Sequence, residues 1–367
     1  MADATCAGCG CACDDIEITD GRLAGTCPLG DRWFADRRGE RPPVASVDGR
    51  AVRLDEAVDA AAAILRQARA PLVYGLGQTS CEAQRRAVAL AEAAGAVIDV
   101  GASVEAYAAI GSSTATFGEI RDRAELVVLW RADPVVTHPR LLERLRLTPS
   151  AMVVVDAERT ATADAAGAFV EVDDDFAALW ALRAQIRGEA HDDLADRMLA
   201  ARHVAFIHGA LDELTALALL SLVRDLARDR HAVTLGLRGD GNARGAEDVL
   251  AWQTGFAAAV SFARGFPRES PRAAELLERG EVDAALVVAA DPLEDLPRLR
   301  ELPTVVVDAR ATATSQAARV AFTTAADGIE VPGTVHRMDG VPVPLRAALA
   351  GERPGVEDVL AAIGGRL

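Results

Sequence analysis

The strongest constraint on the fold is a repeated pattern of uninterrupted apolar runs, each leading into Asp-Pro. The first copy reads Leu126-Val-Val-Leu-Trp130-Arg-Ala-Asp133-Pro134, then Val153-Val-Val-Asp156, then Thr160-Ala-Thr162. The second reads Leu286-Val-Val-Ala-Ala-Asp291-Pro292, then Val305-Val-Val-Asp308, then Thr312-Ala-Thr314. A strand with one wet face alternates apolar and polar residues. These runs do not alternate, so both faces of their sheets are covered, as in a parallel sheet layered by helices. Each copy is expected to hold a helix between its two strands. Two copies predict two Rossmann-like αβα lobes. Ligands of such sheets bind outside the carboxyl ends of the strands, which makes Asp133 and Asp291 candidate cofactor-binding residues.

Further α/β units surround the repeat. Asp55 to Ala70 has apolar residues at helical spacing. Pro71 to Ser80 reads as a buried strand running into a glycine loop at Gly75 and Gly77, followed by a helix from about Glu82 to Ala94 and a strand at Val97 to Val100. A glycine loop before a helix N-terminus is a plausible phosphate seat; an ordinary βα turn is the equal rival, because Gly-x-Gly alone is common. His203 to Leu237 predicts strand, helix, strand. Arg238 to Gly245, with Asn242 and Gly245, is expected to be a ligand-facing or mobile loop. Trp252 to Arg268 reads as loop-rich, with Arg264 and Arg268 as candidate anion contacts or ordinary surface cations.

Five of the six cysteines fall in the first 27 residues. Cys6, Cys9 and Cys13 have C-x2-C-x3-C spacing around Gly8 and Gly10, and Cys27-Pro28 follows after an alternating segment with a turn signal at Asp20-Gly21. Four thiolates with asymmetric spacing and a proline after the last suit an iron–sulfur cube. Zinc is the main rival, although it more often shows matched C-x2-C pairs. Vestigial thiols or disulfides come third. Cys11 is the spare thiol, and Cys81 reads as a small core residue.

The formal net charge of −16 argues against nucleic acid and anionic membrane as partners. No apolar run reaches transmembrane length and Met-Ala-Asp-Ala opens no signal peptide, so a cytoplasmic, reducing setting is expected. His138, His203, His208, His231 and His336 are scattered, without His-x-His or His-Glu-x-x-His spacing, and read as core or surface residues. No Gly-x-Ser-x-Gly elbow occurs. No catalytic residue is expected in this chain.

The cysteine run with Asp14-Asp15-Ile16 resembles the start of the formylmethanofuran dehydrogenase B-subunit. Tyr74-Gly75, Glu119 to Trp130, Asp133-Pro134 with His138-Pro139-Arg140, Asn242 to Gly245, Arg264 to Arg268, Asp291-Pro292 and Gly328 to Gly340 extend the likeness in order along the chain. The resemblance implies a molybdopterin-oxidoreductase-like α/β fold, with a small iron–sulfur-type domain and two interleaved lobes. The expected boundaries are 1–45 for the cysteine domain, 46–105 and 200–340 for one lobe, 106–199 for the other, and 341–367 for a C-terminal segment. It also implies a tungsten or molybdenum bis-pterin held by a cysteine or selenocysteine beside a histidine, soon after Val100. Gly101 to Ala108 contains neither residue. Arg131 and Asp133 stand where the family has glycine and asparagine. These departures resemble the bacterial branch, the B-subunit of the formyltransferase/hydrolase complex of one-carbon metabolism. There the implied partners are the formyltransferase, the metal-dependent hydrolase and the C-subunit, and the B-subunit is expected to be a redox-inactive scaffold. An active pterin-binding dehydrogenase component is the alternative.

Overall fold

The computed structural model describes residues 2–19, 22–39, 41–101, 105–188, 192–239 and 241–367. It contains two compact units. One comprises Met1–Ala102, Asp240–Arg337 and Pro342–Leu367; the other comprises Ser103–Gly239 and Met338–Val341.

The second unit is built on a five-stranded, fully parallel sheet. Its order is Ala168–Glu171, Met152–Asp156, Leu126–Trp130, His203–His208, His231–Gly236. Counted along the chain this is a 3-2-1-4-5 arrangement, the doubly wound order in which the chain reverses direction beside its first strand. Every residue of Leu126–Trp130 is buried, which is why that run shows no alternation. The core joins Trp130 and Phe206 to Leu219, Leu222 and Met198 from the covering helices. Helix Glu213–Leu226 starts where Asp212 accepts a hydrogen bond from the Thr215 N–H, a cap that contributes about 1 kcal/mol.

The first unit contains a nine-stranded sheet. Its five central strands are parallel, in the order Val97–Asp99, Pro71–Gly75, Ala284–Val288, Thr304–Asp308, Val320–Thr323. This is a 2-1-3-4-5 order, and it reverses between Pro71–Gly75 and Ala284–Val288. Short antiparallel strands finish both edges. Helix Cys81–Ala94 is capped by Ser80, which accepts from the Ala83 N–H, and ends at Gly95 with φ 62°. The N-terminal strands Ala2–Cys6, Cys13–Thr19 and Arg22–Ala24 form a separate antiparallel sheet. The Asp20-Gly21 turn expected there lies outside the described residues.

Several expectations need correction. His203–His208 and His231–Gly236 extend the sheet of Leu126–Trp130, so 200–239 belongs to the second unit and not to the lobe expected over 200–340. Sheet membership is decided by which edge is free to pair, and local sequence does not carry that. Residues 1–45 and 342–367 fall within the first unit. Between Asp291-Pro292 and Thr304 the chain forms a 3-10 turn, Pro297–Glu301, where an α-helix was expected. The stretch Arg238 to Gly245 is not an open loop to its end. Helix Ala243–Thr254 begins inside it and carries Trp252.

Candidate metal and ligand sites

Cys6 ends one N-terminal strand, Cys13 opens the next, and the two are register partners. Between them Ala12, at φ 41°, donates its N–H to the Cys9 carbonyl at 3.2 Å, closing the turn. Cys27 precedes helix Pro28–Arg38, and its side chain makes no capping bond. Gly30 brings that helix close: a Cβ there would stand 3.1 Å from Cys6 Sγ. Cys6, Cys9, Cys11 and Cys13 are buried, Cys27 is half-buried, and none forms a disulfide. Burial pushes the Cys6 thiol up to about 12, against a hydrogen bond from the Gly8 backbone, and Cys13, Cys9 and Cys27 push it the same way as burial. Those three are the sequence-predicted co-ligands. A zinc ion 2.3 Å from four sulfurs would hold them about 3.8 Å apart. No group of three or more of these sulfurs closes to within 4.8 Å among the described residues.

A buried cation accompanies the cysteines. Arg37 is 4% exposed and donates to Trp33 O at 3.1 Å and Gln78 Oε1 at 2.9 Å, with its guanidinium 4.5 Å from the Trp33 ring centre. Burial lowers it to about 10; Arg310 adds to this, while Asp308, Asp36 and Cys6 oppose it.

The carboxyl edge of the first unit's sheet carries Gly75, Gly77, Asn242, Gly245 and Asp291, and contacts within the chain engage them. Gly75 adopts φ 107°, and a Cβ there would lie 2.6 Å from Ala290 Cβ and 2.7 Å from Val288 O. Gly77 O accepts from Asn242 N at 2.9 Å. The Asn242 amide donates to Thr79 O at 2.7 Å, and its oxygen accepts from His336 N at 2.8 Å. Gly245 leaves room for that side chain, since a Cβ would overlap Asn242 Oδ1 at 2.1 Å. The helix N-terminus that read as a phosphate seat is capped from within. Asp327 Oδ2 accepts from Ser80 N at 2.7 Å and Thr79 Oγ1 at 2.6 Å. Burial raises the Asp327 carboxyl above its ordinary range despite these bonds, and Glu82 adds to the rise.

The repeat has a shared structural purpose. Asp291 Oδ1 accepts from Thr314 N at 2.9 Å and Thr314 Oγ1 at 2.5 Å. Asp133 Oδ1 accepts from Thr162 N at 3.0 Å and Thr162 Oγ1 at 2.5 Å. Each Asp-Pro aspartate therefore ties its own strand end to the Thr-x-Thr turn after the neighbouring strand.

At the carboxyl edge of the second unit's sheet, Arg131 takes φ 48° and bonds Asp156 Oδ1 and Asp175 Oδ2, each at 2.9 Å, and Val172 O at 2.8 Å. The crevice beside the first strand holds His208. Its Nδ1 lies 2.8 Å from Gly209 O and its Nε2 lies 2.6 Å from the Tyr107 hydroxyl. A carbonyl only accepts, so Nδ1 carries the proton and Tyr107 donates to Nε2. Burial pushes this imidazole down to about 4; the Gly209 bond opposes the fall and Arg238 adds to it. Sequence reasoning missed Asp175, Tyr107 and the His208 arrangement, because their partners lie far away in the chain.

Arg264 and Arg268 are not brought to the ligand edge. Ser261 pairs antiparallel with Val97, the first residue of its strand, so the segment carrying Arg264 leaves at the amino edge of the parallel strands. There the two arginines line an open groove of about 360 Å³ with Ser261 and Ser270. Of the histidines, His138 Nε2 meets Arg238 O at 2.8 Å and His336 Nδ1 meets Asp248 Oδ2 at 2.7 Å.

Two doubly wound sheets of different strand order, with a cysteine-rich N-terminal segment on one of the two units, define a multi-sheet α/β protein. No family model matches the chain. It is 32% identical to the B-subunit of the tungsten-containing formylmethanofuran dehydrogenase 2 of Methanocaldococcus jannaschii, over 95% of this chain and 94% of that one. It is 29% identical to the B-subunit of the formyltransferase/hydrolase complex Fhc of Methylorubrum extorquens, over 79% of this chain and 87% of that one. Its structure is similar to a chain of the formyltransferase/hydrolase complex FhcABCD from Methylorubrum extorquens, solved in complex with methylofuran. The TM-score is 0.76 at 27% identity, covering 88% of this chain and 98% of that one. The chain belongs to the formylmethanofuran dehydrogenase B-subunit family, the family its motifs resemble. No helix among the described residues is long and apolar enough to cross a membrane.

Proposed function

We propose that this chain is the B-subunit of a formyltransferase/hydrolase-type complex in one-carbon metabolism, and that within it the chain is a redox-inactive, assembly-forming component. The observation that carries this reading is Asp327. Its carboxyl group holds Ser80 N and Thr79 Oγ1 at the helix N-terminus, where a phosphate of a bound nucleotide would be cradled. The carboxyl group takes the place of an anion there, and the Ser80 N–H and Thr79 hydroxyl donors are already engaged. The residues do not fit a metal–pterin in other respects. Gly101 to Ala108 offers no thiolate and no imidazole, and Ala102, Ser103 and Val104 lie outside the described residues. At the second unit's edge, Arg131 fills the space that a glycine would leave open.

The spacing of the cysteines supports a [4Fe–4S] cluster in this reading. Cys6, Cys9, Cys13 and Cys27 would hold it. The start of helix Pro28–Arg38 and the buried Arg37 both favour an anionic occupant. When bound, such a cluster supplies one-electron chemistry or a purely structural clamp. The heteromeric FhcABCD neighbour supports assembly with a formyltransferase, a metal-dependent hydrolase and a C-subunit. Four cysteines without a disulfide suit a cytoplasmic setting.

A second reading, an active dehydrogenase component, is favoured by the 32% identity to the tungsten-containing relative. Metal analysis of complex purified without oxygen decides between them. About four irons per chain with matching sulfide, and neither tungsten nor molybdenum, is the expected result. Stoichiometric tungsten or molybdenum would overturn the scaffold reading.

A further inference from the structure

His203 and His231 begin neighbouring parallel strands and face each other in register. Their rings meet edge to face with centroids 4.3 Å apart. Glu119, from helix Phe117–Arg123, brings Oε1 to 2.9 Å from His231 Nε2. One donor atom from each of the three residues lies within 4.8 Å of the others, and no other group of three or more does so among the described residues. His203 is 6% exposed, and its Nε2 is buried without a hydrogen-bond partner among the described residues. Buried polar atoms are paired as a rule. The His203 ring stands against a second imidazole, with a carboxylate in the same 4.8 Å group, and a metal ion there would give a ring nitrogen a partner.

We propose that Glu119, His203 and His231 form a binding site for a divalent transition-metal ion, with zinc the expected occupant, at the amino edge of the five-stranded sheet. Two imidazoles and one carboxylate are a borderline donor set that zinc accepts with a further position left for water. Burial disfavours the charged form of His203, with His231 and Arg123 acting in the same direction and Glu119 and Glu125 opposing. Neutral imidazole is the ligand form. Glu125 does not compete for the ion, because its carboxylate is held by Arg202 at 2.6 Å. His231 is half-exposed, with 54% of its side chain open, so an ion can enter from solvent. The site lies at the opposite end of strand His203–His208 from His208, about 17 Å away at 3.3 Å per residue. It is therefore separate from the carboxyl edge. An ion there would clip together three segments that are far apart in sequence, Glu119 and His231 by 112 positions, and would stabilise the unit by mass action.

The test uses the full chain, stripped with chelator and titrated with zinc. Calorimetry gives uptake and X-ray absorption gives the coordination shell. The shell matters because the N-terminal cysteines also take zinc, through sulfur. The expected result is one zinc with a nitrogen/oxygen shell, weakened at least roughly tenfold in Glu119→Gln and in His231→Gln, with sulfur-bound zinc unchanged. Circular dichroism without zinc checks that both variants fold. Should one not fold, the wild-type shell decides: imidazole scattering around zinc supports the site. Sulfur-bound zinc alone, no uptake, or equal nitrogen/oxygen uptake in folded variants would overturn it.

Discussion

His208 is buried, with both ring nitrogens bonded, and burial holds it down near 4. In an unfolded chain a histidine titrates near 6.5. Between those values the unfolded state binds a proton that the native state does not. This contribution to stability is therefore full above pH 6.5 and falls as the pH drops toward 4, by up to about 1.4 kcal/mol per pH unit. Urea midpoints from pH 7 to 4.5 should show that slope in the wild type and its loss in His208→Gln; equal slopes in the two proteins would refute it. Reading the sequence placed His208 only as a core or surface residue. Its pairing with Tyr107 spans 101 positions, and no local pattern encodes such a partner. Asp327 was hidden in the same way, 247 positions from the Ser80 amide it caps.

Among the elements, the strands were the most legible part, because a strand covered on both faces must be apolar throughout. The loops that end them were legible only as composition. Gly75 was visible as a glycine in a possible phosphate loop. Its observed purpose is to let the strand end cross beside Val288 and Ala290 at φ 107°. Gly75→Ala meets both strain and overlap and should cost roughly 2–4 kcal/mol, read as a lower urea midpoint at unchanged slope. Gly49 is the control. It adopts φ 73° with no atom within 4 Å of an added Cβ, so Gly49→Ala should cost only about 1 kcal/mol. Similar losses at the two sites would mean that crowding at Gly75 relaxes freely. The paired Asp-Pro and Thr-x-Thr signals marked a true repeat. The aspartates invited a ligand-binding reading because they stand at strand carboxyl ends, and the threonine partners that occupy them could be assigned only once the neighbouring strands were in place.

For the molecule as a whole, the exposed aromatic side chains bear on assembly. Trp252 is 68% exposed and Phe266 53%, and large exposed aromatics are the residues that anchor interfaces. In a complex recovered through a tag on this chain, Trp252→Ala and Phe266→Ala should lower the yield of co-purified partners, roughly tenfold or more if either is an anchor. The melting temperature of the isolated chain should stay unchanged, since neither side chain is in its core. Undiminished recovery would place the interface elsewhere. Family membership and the α/β character were legible from ordered motifs along the chain. The division into units was not, because it depends on pairing between distant strands. That pairing also sets an order of events during synthesis. Ala70 and Asp283, which bond where the first unit's central strands begin, are 213 positions apart. A ribosome adding roughly 5–20 residues per second needs about 10–40 s to cover that distance. All five strands of the second unit emerge within that interval, while the N-terminal cysteines wait beside a half-built sheet. The nascent chain therefore completes the strands of the second unit before the central sheet of the first can close.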